Sequence, residues 1–469
     1  MDEQSEKSSP YSLFGPAEDG KAADLLAGKT EVDARVRLQA LIAEWLRMEN
    51  LVVLTAAGCS VGPGLGGKTM GTLEEAVLEA VTKHPQLPPE AKKIVEGRLT
   101  ELLLGEDIGF EAWLSFIVNA FHLAQSKGSP LSGTTWKYDA APSLEDLKWL
   151  IDRLGRAIFA ECALSLPPIP AGSAASSIVP PHLAFLAKLI ARDSNLGRAH
   201  LFTLNYDTLF EQALEILGIQ YFDGFSGRAD ARFDPSVYGL DVYYPGEIAE
   251  GRVRRFDKFL HLYKLHGSIH WNIDGDELRA RHPSLAPYIA YRNLGDAEKK
   301  AQQLDALTAN TGPIGILPTA NKFAQTLSMP FAHLLRSFQI RLSAPQTFLL
   351  VLGYGFGDDH VTRIIETALM NPSLVMLVVE PDPKSKTIDR IRQYKELGRR
   401  AFVLTATPEA FAAEKFKFAA FDDFAKSIMP DVQWLTDFLR LRTFEKQIAS
   451  AQKDSQALAA APGQPAAGG

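Results

Sequence analysis

Two six-residue runs, Thr347–Leu352 (TFLLVL) and Leu374–Val379 (LVMLVV), constrain this chain more than anything else in it. A strand that meets water on one side alternates apolar and polar residues. Neither run does, so both belong in the middle of a sheet covered on both faces. Shorter apolar stretches recur at Leu51–Ala56, His200–Asn205, Leu262–Leu265 and Ile314–Leu317, and segments with three-to-four apolar spacing lie between them. This alternation predicts an α/β fold built on a Rossmann-like, mostly parallel sheet.

Strand character nearly vanishes from about Thr72 to Leu196, where LEEAVLEAV, AKKIVEGRLTELLL, FEAWLSFIVNAFHLAQ and LEDLKWLIDRLGRAIFAECAL show helical spacing. The sheet domain is therefore expected at 36–78 and 196–405, bracketing a large helical insertion at 79–195. Residues 1–35 mix charge, Ser, Pro and Gly without periodicity and are expected to form a partly disordered arm that docks through Tyr11, Leu13 and Phe14. C-terminal helices are expected at 406–448 and a disordered, low-complexity tail at 449–469. Two polar stretches, Asp223–Arg255 and Asp274–Thr311, are long for plain loops and read as excursions at the rim of the sheet.

Composition removes several function classes. Of 469 residues, 46% are hydrophobic and 22% charged, which excludes disorder throughout. A net charge of −7 supplies no broad cationic field, so direct binding of nucleic acid is not expected. The two cysteines, Cys59 and Cys162, can build neither a disulfide framework nor a four-cysteine zinc site, as expected of a reducing cytoplasm. The start, MDEQSEKSSP, lacks the basic end and apolar stretch of a signal peptide, and no apolar run approaches the ~20 residues that cross a bilayer. A cytoplasmic protein without a membrane partner is the expectation.

Open α/β sheets bind ligands beyond the carboxyl ends of their strands. Polar or glycine-rich residues follow the predicted strands at Thr55-Ala56-Ala57-Gly58-Cys59-Ser60, at Thr203-Leu204-Asn205-Tyr206-Asp207, at Leu265-His266-Gly267-Ser268 and at Gly353-Tyr354-Gly355-Phe356-Gly357-Asp358-Asp359-His360. Glu380 ends the last apolar run, where an acidic residue binds ribose hydroxyls of a dinucleotide. Each has a plainer reading. Asn205 and Asp207 cap the helix Thr208–Leu217, Asp358, Asp359 and His360 cap Val361–Leu369, and His270 and Trp271 pack behind a strand end. Cys59 fills a small buried position. Gly62 to Thr69 satisfies the phosphate-loop pattern GxxxxGK[ST], but AAGCSV separates it from the strand and Pro63 follows its first glycine, so the match is one of chance. His266 and His270 have no third partner for a metal, and none is expected.

Read in order, AAGCS, TLNYD, KLHGS, GYGFGDDH and VVEPDP resemble the sirtuin fold, and specifically the bacterial sirtuin-like branch of NAD-degrading defence proteins. The resemblance runs from about Val36 to Leu404 outside the helical insertion, and ILPTANK (Ile316–Lys322) is similar to a segment of that branch. It implies that Ala57, Gly58 and Ser60 meet the diphosphate, with Ala56 in place of the family's first glycine. It implies that Thr203, Asn205 and Asp207 line the nicotinamide and ribose pocket, that His266 is the catalytic histidine, and that Gly353, Tyr354 and Phe356 touch the dinucleotide. Asn205, His266 and Asp207 then form the catalytic set. Asn205 orients water or the ribose, His266 accepts a proton from a ribose hydroxyl, and Asp207 grips the carboxamide or the developing charge.

Departures shape the expected activity. The CxxC…CxxC ribbon of protein deacylases is missing, the insertion sits where an acyl-lysine peptide would enter, and Pro63-Gly64-Leu65-Gly66-Gly67-Lys68 replaces the family's Pro-Asp-Phe-Arg. The implied activity is an NAD+ glycohydrolase that releases nicotinamide and ADP-ribose, depleting NAD in antiphage abortive infection, with NAD+ as substrate and no metal. The implied assembly is a homo-oligomer in complex with a HerA-type hexameric ATPase, the alternative partner being an Argonaute-like protein. A non-hydrolytic NAD or ADP-ribose sensor and a zinc-free deacylase are the alternative functions.

Overall fold

The structure, a computed structural model, describes residues 7–430 except 17–21, 105–108, 128–137, 169–178, 194, 229, 245–253, 275–276, 283, 308–328, 397–399 and 416. The strand expected at Ile314–Leu317, the ILPTANK segment and the tail at 449–469 lie outside the described residues.

The apolar runs form the middle of a nine-stranded sheet. Its strands are β1 (Tyr11–Pro16), β2 (Ala22–Asp24), β3 (Asn50–Thr55), β4 (Ala199–Thr203), β5 (Gln220–Phe222), β6 (Phe259–Lys264), β7 (Thr347–Leu352), β8 (Leu374–Val379) and β9 (Ala401–Ala406). Their spatial order is β2-β1-β9-β8-β7-β3-β4-β6-β5. From β9 across to β5 every neighbouring pair is parallel, and β1 and β2 add an antiparallel hairpin at one edge.

Successive side chains of a strand point to opposite faces, and helices cover both. Leu51, Val53, Leu350, Leu352 and Leu377 pack with α1 (Glu31–Leu46), α6 (Pro181–Ile190) and α7 (Leu209–Ile216). Val52, Leu54, Leu349, Val351 and Met376 pack with α10 (Phe331–Ser343), α11 (Asp359–Ala368) and α12 (Lys386–Glu396). A third core lies in a helical unit made of α2 (Met70–Thr82), α3 (Pro89–Leu104), α4 (Phe110–Lys127), α5 (Leu144–Cys162), α8 (Ala286–Arg292) and α9 (Ala297–Leu307).

These boundaries differ from the expected ones in three ways. The unit begins at α2 rather than at residue 79, and α6, expected inside it, belongs to the sheet domain because Phe185 and Leu186 pack with Phe210, Leu201 and Phe421. Two helices from the polar stretch Asp274–Thr311 complete the unit, since Tyr288, Tyr291 and Leu304 bury themselves among Leu150, Leu154 and Phe159. The N-terminal arm supplies β1, in which Tyr11 and Leu13 are fully buried and Tyr11 pairs with Ala406. Pairing there satisfies the backbone groups of β9 that would otherwise form an open sheet edge. The expected C-terminal helices are described as far as residue 430 and include Pro408–Ala413, Phe421–Asp423 and a π turn at Phe424–Ile428.

The register places the strand ends in one row. Val379 lies beside Leu352, Leu352 beside Thr55, Thr55 beside Thr203 and Thr203 beside Lys264. Glu380, Gly353, Ala56, Leu204 and Leu265 therefore leave the sheet along one rim. The chain proceeds outward from β3 toward β5 and outward from β7 toward β9, so the direction of winding reverses between β3 and β7, where open α/β sheets bind their ligands.

Candidate functional site

At that reversal two loops touch through glycines. Gly58, in a 3-10 turn at Ala57–Cys59, donates its N–H to the Gly353 carbonyl at 3.1 Å. A Cβ on Gly58 would lie 2.6 Å from Gly353 Cα, and Gly353 itself has φ +64, so glycine is required at both positions. Ala57 is exposed at the rim. Cys59 is wholly buried beneath it, and burial pushes its thiol pKa far up, so it is a space-filling residue and not a reactive one. The loop that follows turns back: Gly67 donates to the Ser60 carbonyl at 3.0 Å, Lys68 pairs with Glu161 at 3.8 Å, and Thr69 caps α2 by accepting from Thr72. Gly62 to Thr69 thus leads into a helix of the neighbouring unit and does not wrap a strand end.

Asn205, Ser60 and Asp207 form one hydrogen-bonded group. The Asn205 Nδ2 donates to the Ala56 carbonyl at 3.1 Å and to Ser60 Oγ at 2.9 Å, while its backbone N–H donates to Thr203 Oγ1 at 3.1 Å. Both amide protons are used inside the protein, and the carboxamide oxygen takes no hydrogen bond from the described residues. Ser60 Oγ donates to Asp207 Oδ2 at 2.6 Å, and Asp207 Oδ1 accepts the Leu209 N–H at the start of α7 at 3.1 Å. Beneath them the ammonium of Lys264 donates to the main-chain oxygen of Asp207 and pairs with Glu211 at 3.0 Å. Burial pushes the Glu211 carboxyl up and the Lys264 charge opposes the shift.

His266 leaves β6 two residues later. Gly267 at φ +88 closes the turn by donating to the Lys264 carbonyl at 3.0 Å, which explains the His-Gly order. The imidazole Nε2 lies 3.0 Å from Oδ2 of Asp358. Asp358 Oδ1 accepts the N–H groups of His360 at 3.0 Å and Val361 at 3.2 Å, so the residue read as a helix cap is also the histidine's partner. Sequence reasoning missed that second role; the carboxylate beside a glycine-rich loop was its only signal. Tyr206 brings its ring centroid to 6.4 Å from that of His266.

The loop after β7 offers backbone rather than side chains. Tyr354 and Phe356 are buried with ring centroids 4.9 Å apart, and the Tyr354 hydroxyl donates to the Asp358 carbonyl at 2.9 Å. Gly355 and Gly357 border open space. Glu380 is spent on its own turn, with Oε1 accepting from the Asp382 N–H and Oε2 from Ser385 Oγ. His270 lies behind the strand end, 2.7 Å from His282 between Nδ1 atoms, and burial lowers its pKa to about 3.

Among the described residues no three His, Cys, Asp or Glu side chains are grouped to hold a metal ion, and no helix is long and apolar enough to cross a membrane. No curated protein matches the chain. Residues 199–402 match the family described as the SIR2-like domain, a span that contains Asn205, Asp207, His266, Gly353 and Glu380.

Proposed function

From the SIR2-like domain at residues 199–402, we propose that the chain is an NAD+ glycohydrolase. The observation that carries this reading is the orientation of Asn205. Its amide nitrogen is held by Ala56 and Ser60, which leaves the carboxamide oxygen as an acceptor for water or a ribose hydroxyl at the rim where His266 also stands. Open backbone at Gly355 and Gly357 fits a nucleotide lying across the reversal point.

In the reaction the bond between ribose C1′ and the nicotinamide nitrogen breaks, and its electron pair leaves with the pyridine ring. Positive charge builds on the sugar, water adds to C1′, and a proton is released. Asn205 orients the water or the ribose. His266 takes the proton, and Asp358, held by the start of α11, steadies the imidazolium. Asp207 has both oxygens engaged, so it acts by holding Ser60 and through it the Asn205 amide.

The resemblance to the defence branch supports an effector that depletes NAD. Such an enzyme harms its own cell unless restrained, so activity rises only when an infection-sensing partner, a HerA-type hexameric ATPase, joins a homo-oligomer of this chain. The test is nicotinamide release by the full chain, alone and with that ATPase, beside His266→Ala. Turnover that requires His266 supports hydrolysis. Nucleotide binding without turnover under either condition would replace it with the sensor function.

A further inference from the structure

The helical unit sends one cation toward the rim without giving it a partner. Arg292 ends α8, and one guanidinium nitrogen lies 3.3 Å from where a Gly66 Cβ would stand, beside the Gly67 backbone that docks on Ser60. The side chain makes no hydrogen bond or ion pair among the described residues, and its Nε is buried without an acceptor. Arg292 is half-buried, and of the five donors its guanidinium carries the Nε–H is the one shut away from both acceptor and water.

The carboxylates nearby do not compensate it. Glu161 is already paired with Lys300 at 3.1 Å and Lys68 at 3.8 Å, so three cations face one buried carboxylate. Asp207, the other acid within range of Arg292, is engaged by Ser60 and the Leu209 N–H. A second polar group on the helical unit's core is also unmet, since the buried Tyr206 hydroxyl has no hydrogen-bond partner among the described residues. In a chain of net charge −7, Lys68, Lys300 and Arg292 around the one carboxylate of Glu161 make a local cationic excess.

We propose that Arg292 binds a phosphate of the nucleotide, its planar fork matching the diphosphate oxygens and supplying the cation that the Gly-rich first loop lacks. The inference rests on the dinucleotide reading above and adds a residue contributed by the helical unit. Binding then ties that unit to the rim, because the same anion bridges α8 and the loop beside Ser60.

Calorimetric titration of the full chain with ADP-ribose at several KCl concentrations tests this without requiring turnover. Arg292→Met is expected to weaken ADP-ribose at least tenfold and to flatten the fall of affinity with salt, and Arg292→Lys to recover part of the loss because it restores the charge but not the fork. Unchanged affinity in a folded Arg292→Met overturns the proposal and leaves the hydrolase reading standing. Wild-type affinity that ignores KCl overturns it as well, even if Arg292→Met does not fold. A wild-type chain that binds no ADP-ribose overturns both.

Discussion

His266 and Asp358 come from loops ninety-two positions apart and meet at 3.0 Å, with the carboxylate's second oxygen fastened to the start of α11. One residue thus caps a helix and orients an imidazole. The two roles separate by substitution. Asparagine caps as well as aspartate, so Asp358→Asn should melt close to wild type while nicotinamide release falls by roughly 10²-fold or more. Asp358→Ala should show the same kinetic loss plus about 1 kcal/mol of destabilisation. Equal melting losses in the two variants would sink the separation.

Ser60 joins Asn205 to Asp207. Asn205→Ala should abolish nicotinamide release with the fold intact. Ser60→Ala leaves a buried Asp207 oxygen without its donor and frees the amide to flip, so it should slow turnover and cost about 1–3 kcal/mol in urea unfolding. Wild-type rates in Ser60→Ala would show that the amide is held by Ala56 alone.

The glycine contact at the reversal point tolerates no side chain. In Gly58→Ala the new methyl, 2.6 Å from Gly353 Cα, must push the β3 and β7 loops apart. The expected outcome is a lower melting temperature together with lost ADP-ribose binding. Full binding at unchanged stability would mean that the two loops separate freely.

His182 has no hydrogen-bond partner among the described residues and sits between Phe210 and Phe421, and burial lowers its pKa to about 3. Below the unfolded value near 6.5 the unfolded chain binds a proton that the folded chain refuses. Stability is therefore lost as pH falls from about 6.5 toward 3, at roughly 1.4 kcal/mol per unit from this one group. His182→Phe should make the acid limb of a stability-against-pH curve shallower, and coincident limbs would remove His182 as a cause.

Much of the architecture was legible because burial leaves a period. TFLLVL and LVMLVV have no polar face, and they are the two strands between β3 and β9. The motifs converge because the register aligns Thr55, Thr203 and Lys264, which follows once parallel pairing is assumed. Contacts that depend on distance in space left no such trace. Nothing near Asp358 announces His266, and Arg292 lies in a polar stretch whose helices bury only Tyr288, Tyr291, Ala301 and Leu304. The hydrogen bonds that Glu380 and Tyr354 make within their own loops were equally silent in the sequence, where only the residue types could be read. Tyr11–Pro16 was hidden because YSLFGP has neither alternation nor a long apolar run.

The pairing of Tyr11 with Ala406 makes the first strand of the sheet in chain order wait for the last. Such a long loop closes late, so the sheet has an unsealed flank during most of synthesis. Tyr11 also reaches past β9 to Asp423 at 3.0 Å, latching the chain's opening segment to helical turns made later still. The latch lies at the edge of the sheet away from β5, so the rim at the centre has no direct contact with it through Tyr11 or Asp423.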